Sequence, residues 1–161
     1  MALNTQETAA LKAAIAAETN ATFRDYRTEG ATGLMAEWYN ANFSPATLAW
    51  RTNVPPEDSD EAPSYSAFDT LQQGKRDSWV VFLKFPRNFT KNKVRRWVVD
   101  VWGDATQNSN AAAILDAGTR RITRAENALG GTTTATQGVV TARVLTWEGP
   151  LTNEDVINAL R

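Results

Sequence analysis

The most regular alternation of apolar and polar positions in this chain runs from Asn108 to Leu129. Apolar or small residues fall there at Ala111, Ile114, Leu115, Gly118, Ile122, Ala125 and Leu129. That is the i, i+3, i+4, i+7 recurrence of one helix face, and it predicts a single helix over 108–129. Asn108 or Ser109 caps its start, and Gly130-Gly131 stands where a left-handed C-terminal residue is wanted. Arg120, Arg121 and Arg124 then share one outer side of that helix. Their reading is as partners in ion pairs, within the chain or between subunits, rather than as phosphate contacts.

The other segments give shorter patterns. Asn4-x-x-Glu7 has capping-box spacing, and the alanine-rich run to Glu18 carries Leu11 and Ile15 four apart, which predicts an opening helix. Thr19 to Gly30 is polar apart from Phe23 and Tyr26 and reads as a connection. A second helix begins near Thr32, with Leu34, Met35, Trp38 and Ala41 on one side, and stops before Ser44-Pro45. Ala46 to Thr52 reads as a brief extended segment, and Ser64 to Gln73 as a short turn of helix.

The apolar run from Trp79 to Phe85 suits a buried strand or a buried helix; the spacing of Trp79, Phe82 and Leu83 favours a helix ending at Pro86. Thr90 is the expected cap of the next helix, whose inner stripe is Val94, Trp97, Val98 and Val101 and whose stop is Gly103. Thr132 to Gln137 reads as a loop, Val139 to Trp147 as a strand, and the residues from Thr152 onward as a short helix with Val156, Ile157 and Leu160 apolar. The expected class is mainly α, a bundle of about five helices with one or two short strands, in one domain over 1–161. An apolar C-terminal helix is expected to dock at 151–161, on this chain or on a partner.

Composition narrows the chemistry. An apolar fraction of 42% with six tryptophans fits a packed core, and a net charge of −1 gives no global pull toward nucleic acid or anionic membrane. No apolar run approaches 18 residues and no basic-then-apolar leader is visible, so neither membrane spanning nor Sec-type export is expected. The chain has no cysteine and no histidine. Disulfides, thiolate chemistry, histidine general bases and the usual zinc ligands are thereby excluded. The expectation is a protein without catalysis, cofactor or metal.

Four candidate sites remain, each beside a plainer reading. Arg87, Lys91, Lys93, Arg95 and Arg96, with Phe89 and Trp97 interleaved, form either a nucleic-acid patch or a solvated helix face. Glu57, Asp58, Asp60 and Glu61 read as a solvated loop first and a divalent-cation site second, since EF-hand spacing is missing. Asp100, Asp104, Asp116 and Glu126 are the carboxylates near helices; surface charge is the plainer reading of them. Trp50 beside Arg51 has the character of an interface anchor.

Three segments carry a resemblance: LAWRTNVP (48–55), TRRITRAENAL (119–129) and LTWEGPLTNEDVINALR (145–161). In their order and spacing they resemble a group of small virion-morphogenesis proteins of tailed bacteriophages, over most of the chain after Leu34. The loop of that group carries a Gly-Thr-Gly-Thr-like stretch, where this chain has Gly130-Gly131-Thr132-Thr133-Thr134. Size and helical make-up are similar to those of adaptors that form a ring beneath the portal at the head–tail junction. The resemblance implies a structural virion protein, made in the host cytoplasm, with portal and tail proteins as partners, a homo-oligomeric ring and passing contact with packaged DNA. It implies no cofactor and no reaction. The expected interface residues are Trp50, Arg51, Arg120, Arg121, Arg124, Val156, Ile157 and Leu160. The alternatives are a nucleic-acid-binding module, a tail terminator or a capsid decoration protein.

Overall fold

The computed structural model describes residues 2–161. Among them are ten helices and four short strands, so the fold is mixed α and β rather than a five-helix bundle. The chain forms two compact units, each assembled from separated segments. The first comprises the chain up to Thr47, then Arg121–Thr132 and Leu145–Arg161; the second is Leu48–Arg120 with Thr133–Val144.

The first unit is helical. Helices α1 (Thr5–Ala17), α2 (Ala21–Glu29), α3 (Thr32–Asn40), α9 (Arg124–Leu129) and α10 (Asn153–Leu160) bury Leu11, Ile15, Phe23, Met35, Tyr39, Leu129, Trp147, Leu151 and Val156 together. The segment expected to be a connection, 19–30, is α2. Asn20 caps it by accepting from the Phe23 amide, and Gly30 ends it in the left-handed region at φ 67°. Those two residues are the start and stop signals that its polar composition concealed. Capping boxes start α1 at Asn4 and Glu7, α9 at Thr123 and Glu126, and α10 at Thr152 and Asp155. The Asn40 amide clamps the chain entering α10, donating to the Leu151 carbonyl at 2.9 Å and accepting from the Leu151 amide at 2.7 Å.

The second unit carries the sheet. The strands are β1 (Leu48–Trp50), β2 (Thr119–Arg121), β3 (Thr134–Gln137) and β4 (Val140–Arg143), in the order β2-β1-β4-β3. β1 runs parallel to β4 with Ala49 opposite Arg143, and β3 pairs antiparallel to β4 with Gln137 opposite Val140. The stretch expected to be a loop at 132–137 is therefore half of a hairpin. Gly138 turns it at φ 60°, in a position where a Cβ would stand 2.5 Å from that of Ala105. Helices α4 (Pro56–Glu61), α5 (Tyr65–Thr70), α6 (Gln73–Phe82), α7 (Asn92–Trp102) and α8 (Ser109–Ala117) complete the unit. The acidic run at 57–61 is thus helical, started by Pro56 at its first turn. Thr90 does not cap α7; its N-cap is Lys91, without a side-chain bond. The buried face of α7 is Arg95, Val98, Val101 and Trp102, rotated from the expected stripe, so that Val94 and Trp97 are only half-buried.

The largest departure is at 108–129, which is three elements and not one helix. α8 ends at Ala117, the chain extends as β2, and α9 begins at Arg124. The cause lies at Gly118: a Cβ there would stand 2.1 Å from the Phe89 ring. Phe89 therefore demands a residue without a side chain at 118, where the chain leaves α8. The Gly118 carbonyl accepts instead from the Arg51 amide at 2.9 Å. Beyond it, Ile122 exchanges backbone bonds with Thr47 and Phe43.

This packing makes a prediction about two glycines. Gly118→Ala should cost about 1–3 kcal/mol by overpacking Phe89, or more if the break cannot relax. Gly33→Ala, in α3 with open space around it, should be neutral or stabilise by about 0.5–1 kcal/mol. Urea denaturation of both variants checks the pair; equal effects would mean that Phe89 does not hold the break.

Candidate functional site

Trp79 and Phe82 point α6 into the core of the second unit, with their rings stacked at 4.6 Å. A helix has one inner face, so Val80 and Val81 cannot follow them, while Leu83 at its end packs half-buried against the same core. Val80 is 52% exposed, Val81 46% and Phe85, just past the helix, 65%. Val80 and Val81, with Asp77, lie on the outer side of α6, and Lys84 and Phe85 continue this exposed stripe past its end. Read from the sequence, this run was a buried one; its composition was informative, but the helix period requires half of it to face out.

Beside the stripe lies a cavity of about 200 Å³. Trp79 and Trp102 line it together with Phe68, Leu83, Val80 and Tyr65, the last of these 80% exposed. Asp60 and Ser64 are the polar residues at its wall. The indole N–H groups of Trp79 and Trp102 are buried and have no hydrogen-bond partner. The two rings meet edge to face at 5.4 Å. Such a site suits an apolar, planar group of modest size and offers no acid–base pair.

Two of the five basic residues of the segment, Arg87 and Arg95, are engaged inside the unit. The Arg87 guanidinium lies 5.0 Å from the Phe82 ring centre and 4.9 Å from that of Trp97. It donates from Nε to the Phe82 carbonyl at 2.7 Å and from Nη2 to that of Val81 at 2.8 Å, closing the end of α6. Arg95 is buried, donates to the Phe89 and Thr90 carbonyls, and lies 4.9 Å from the Trp50 ring centre. Burial lowers the pKa of both arginines, though neither approaches neutrality in ordinary buffers. Lys91, Lys93 and Arg96 remain exposed.

Of the expected interface residues, Trp50, Arg51 and Arg120 belong to the second unit, and Arg121, Arg124, Val156, Ile157 and Leu160 to the first. Trp50 is fully buried, and its indole donates to the Ala135 carbonyl at 3.0 Å, so it presents no anchor at the surface. Arg51 pairs with Asp58 and donates to the Ala117 carbonyl at 3.1 Å. Arg120 and Arg121 lie in β2 and Arg124 opens α9, so the three do not share one helix face. Arg121 donates to the Phe43 carbonyl at 3.1 Å. Arg124 stacks 4.0 Å over the Trp38 ring centre and donates to its carbonyl at 3.0 Å. It faces a groove of about 340 Å³ in the first unit, shared with Glu18, Asn20, Tyr39 and Asn127. At the chain's end Val156 is buried in the first unit, Ile157 is half-buried and Leu160 is 42% exposed.

The carboxylates have separate settings. Asp58 is held by Arg51, and Glu126 is the buried acceptor of the Thr123 amide. Asp100 and Asp116 are exposed; Asp104 is exposed and is kept below the usual carboxylate range by bonds from the backbone and side chain of Thr106. Among the described residues, no group of three His, Cys, Asp or Glu side chains could hold a metal ion, and no helix is long and apolar enough to cross a membrane. No known protein family, curated protein or solved structure matches the chain.

Two measurements follow from this placement. Deleting residues 152–161 removes buried Val156 and Ala159 from the first unit, so the melting temperature should fall by several degrees. An unchanged melting temperature would make the segment a free docking tail. In the same unit, burial and then the Glu18 carboxylate raise the Tyr39 phenol from 10.0 to about 12. Its contribution to stability is therefore complete below pH 10 and is lost as the pH rises toward 12. Tyr39→Phe should flatten that alkaline loss in thermal melts across this window, while parallel pH curves for the two proteins would refute the assignment.

Proposed function

We propose that this chain is a structural subunit of a tailed-phage virion, an adaptor that forms a ring at the head–tail junction beneath the portal. The observation that carries the assembly part of this reading is the outward stripe of Val80, Val81 and Phe85. Single exposed apolar residues are ordinary, but a run of them on one helix face is a usual mark of a contact surface. Each is already partly covered, so burying the remainder of the three would yield roughly half of the 1.5–3 kcal/mol of a full burial apiece. The phage part rests on the resemblance of residues 48–55, 119–129 and 145–161 to virion-morphogenesis proteins.

The second reading, a nucleic-acid-binding module, keeps Lys91, Lys93 and Arg96 as its cations. It loses Arg87 and Arg95, whose donors serve backbone carbonyls and aromatic faces inside the unit. Three exposed cations give a weak electrostatic footprint, which favours the assembly reading.

The double substitution Val80→Asp with Val81→Asp tests it. Both positions are exposed, so the melting temperature should move little, whereas incorporation into particles should drop by an order of magnitude or more. Incorporation at the wild-type level would remove the stripe as the contact. Particles imaged with the labelled chain should show it at the head–tail junction; label found elsewhere on the virion would overturn the adaptor role, and tight salt-dependent DNA binding with no incorporation would favour the second reading.

A further inference from the structure

We infer that the cavity between α5, α6 and Trp102 is a socket for an aromatic side chain, and that its occupant is Phe85 of a second copy of this chain. This rests on the assembly reading above and supplies the contact between copies. An apolar cavity of about 150 Å³ is enough to hold benzene, so one of about 200 Å³ accepts a phenyl ring with its first methylene. Its walls are the faces and edges of Trp79, Trp102 and Phe68, which favour another ring in edge-to-face or offset contact.

Charge selects the neighbours of that ring. Asp60 stands at the cavity wall and Glu61 follows it, both exposed. A phenyl ring carrying a basic neighbour is therefore favoured and one beside a carboxylate is repelled. The chain itself presents such a group: Phe85 is 65% exposed, between Lys84 and Pro86-Arg87. Phe85 lies just past the helix that lines the socket and does not line its own cavity. Each copy thus displays a basic-flanked aromatic knob and an acid-rimmed aromatic socket. Such a pairing propagates head to tail into a ring, or closes reciprocally as a dimer.

Sedimentation of the full chain over a concentration series tests the contact. The wild type should associate, and Phe85→Ala or Val80→Trp, which removes the knob or blocks the socket's mouth, should each weaken association by roughly 30-fold. Lys84→Glu and Asp60→Lys should each weaken it, and the double variant should recover it. All four positions are exposed, so folding is checked simply by an unchanged melting curve. A chain that stays monomeric up to about 1 mM, or one whose association ignores Phe85→Ala, overturns the inference.

A second arm uses the blocked tetrapeptide Lys-Phe-Pro-Arg as the probe. Its binding should shift the indole N–H resonances of Trp79 and Trp102, and Val80→Trp should abolish the shift. Peptide binding by a chain that never associates would assign the socket to another protein, overturning the contact between copies but leaving the assembly reading in place. Association through Phe85 with no incorporation into particles would do the reverse, and a particle of ring size rather than a dimer is what the adaptor role requires.

Discussion

The close approach of Phe89 to Gly118 decides the architecture of the second unit. Arg51 sits between them, its amide donating to the Gly118 carbonyl and its carbonyl accepting from the Phe89 amide, each at 2.9 Å. Its guanidinium then ties the Ala117 carbonyl and Asp58, so α8 and α4 are fixed to the same residue that continues β1. Only a residue without a side chain lets the backbone pass the Phe89 ring at 118. The chain leaves α8, extends beside β1 as β2, and re-enters helix only after Thr123. The Phe89 ring in turn packs edge to face on Phe82 at 6.2 Å and lies 6.5 Å from Trp50. The aromatic core and the strand order therefore share one cause.

The first unit is held by a different device. Three of its helices begin with reciprocal capping boxes, and short helices need such starts because nucleation is costly. Asp155 illustrates the balance. Burial alone would raise its carboxyl, but bonds from the backbone and side chain of Thr152 and from the Leu3 amide bring it below the usual range. Its contribution is therefore present above the ordinary carboxylate pKa and is lost as pH falls through its lowered value. The Asn40 amide does for Leu151 what a neighbouring strand would do, satisfying a buried N–H and C=O at once.

What the sequence made legible was local. The capping box at Asn4 and Glu7, the helix from Thr32, the extended segment at 48–50 and the closing helix from Asn153 all have signals within a few residues of themselves. The helix period over 108–129 misled because a genuine signal, Thr123-x-x-Glu126, lay inside a longer apolar recurrence that outweighed it. Gly118 reads as a tolerated small residue until Phe89, 29 positions earlier, is known to lie against it. The strand at 134–137 has no apolar pattern of its own; it exists because β4 offers it a partner. Of the candidate site, the outward stripe was legible in principle, since no helix can bury Trp79, Val80, Val81, Phe82 and Phe85 together. The socket was not, because it needs α5 and Trp102 placed against α6.

The same geometry explains why arginine-rich composition was a poor guide to the surface. Arg87, Arg95 and Arg124 each combine an aromatic face with carbonyl acceptors, an arrangement a planar guanidinium tolerates better than a lysine ammonium does. Guanidiniums placed in this way hold the rings beside them, a structural use of arginine that composition does not reveal. Beside Val80 and Val81 in the chain the exposed charges are Asp77 and Lys84, one of each sign. An apolar stretch flanked by one charge of each sign offers little to a polyanion. That balance is what favours the proposed protein contact over the nucleic-acid alternative.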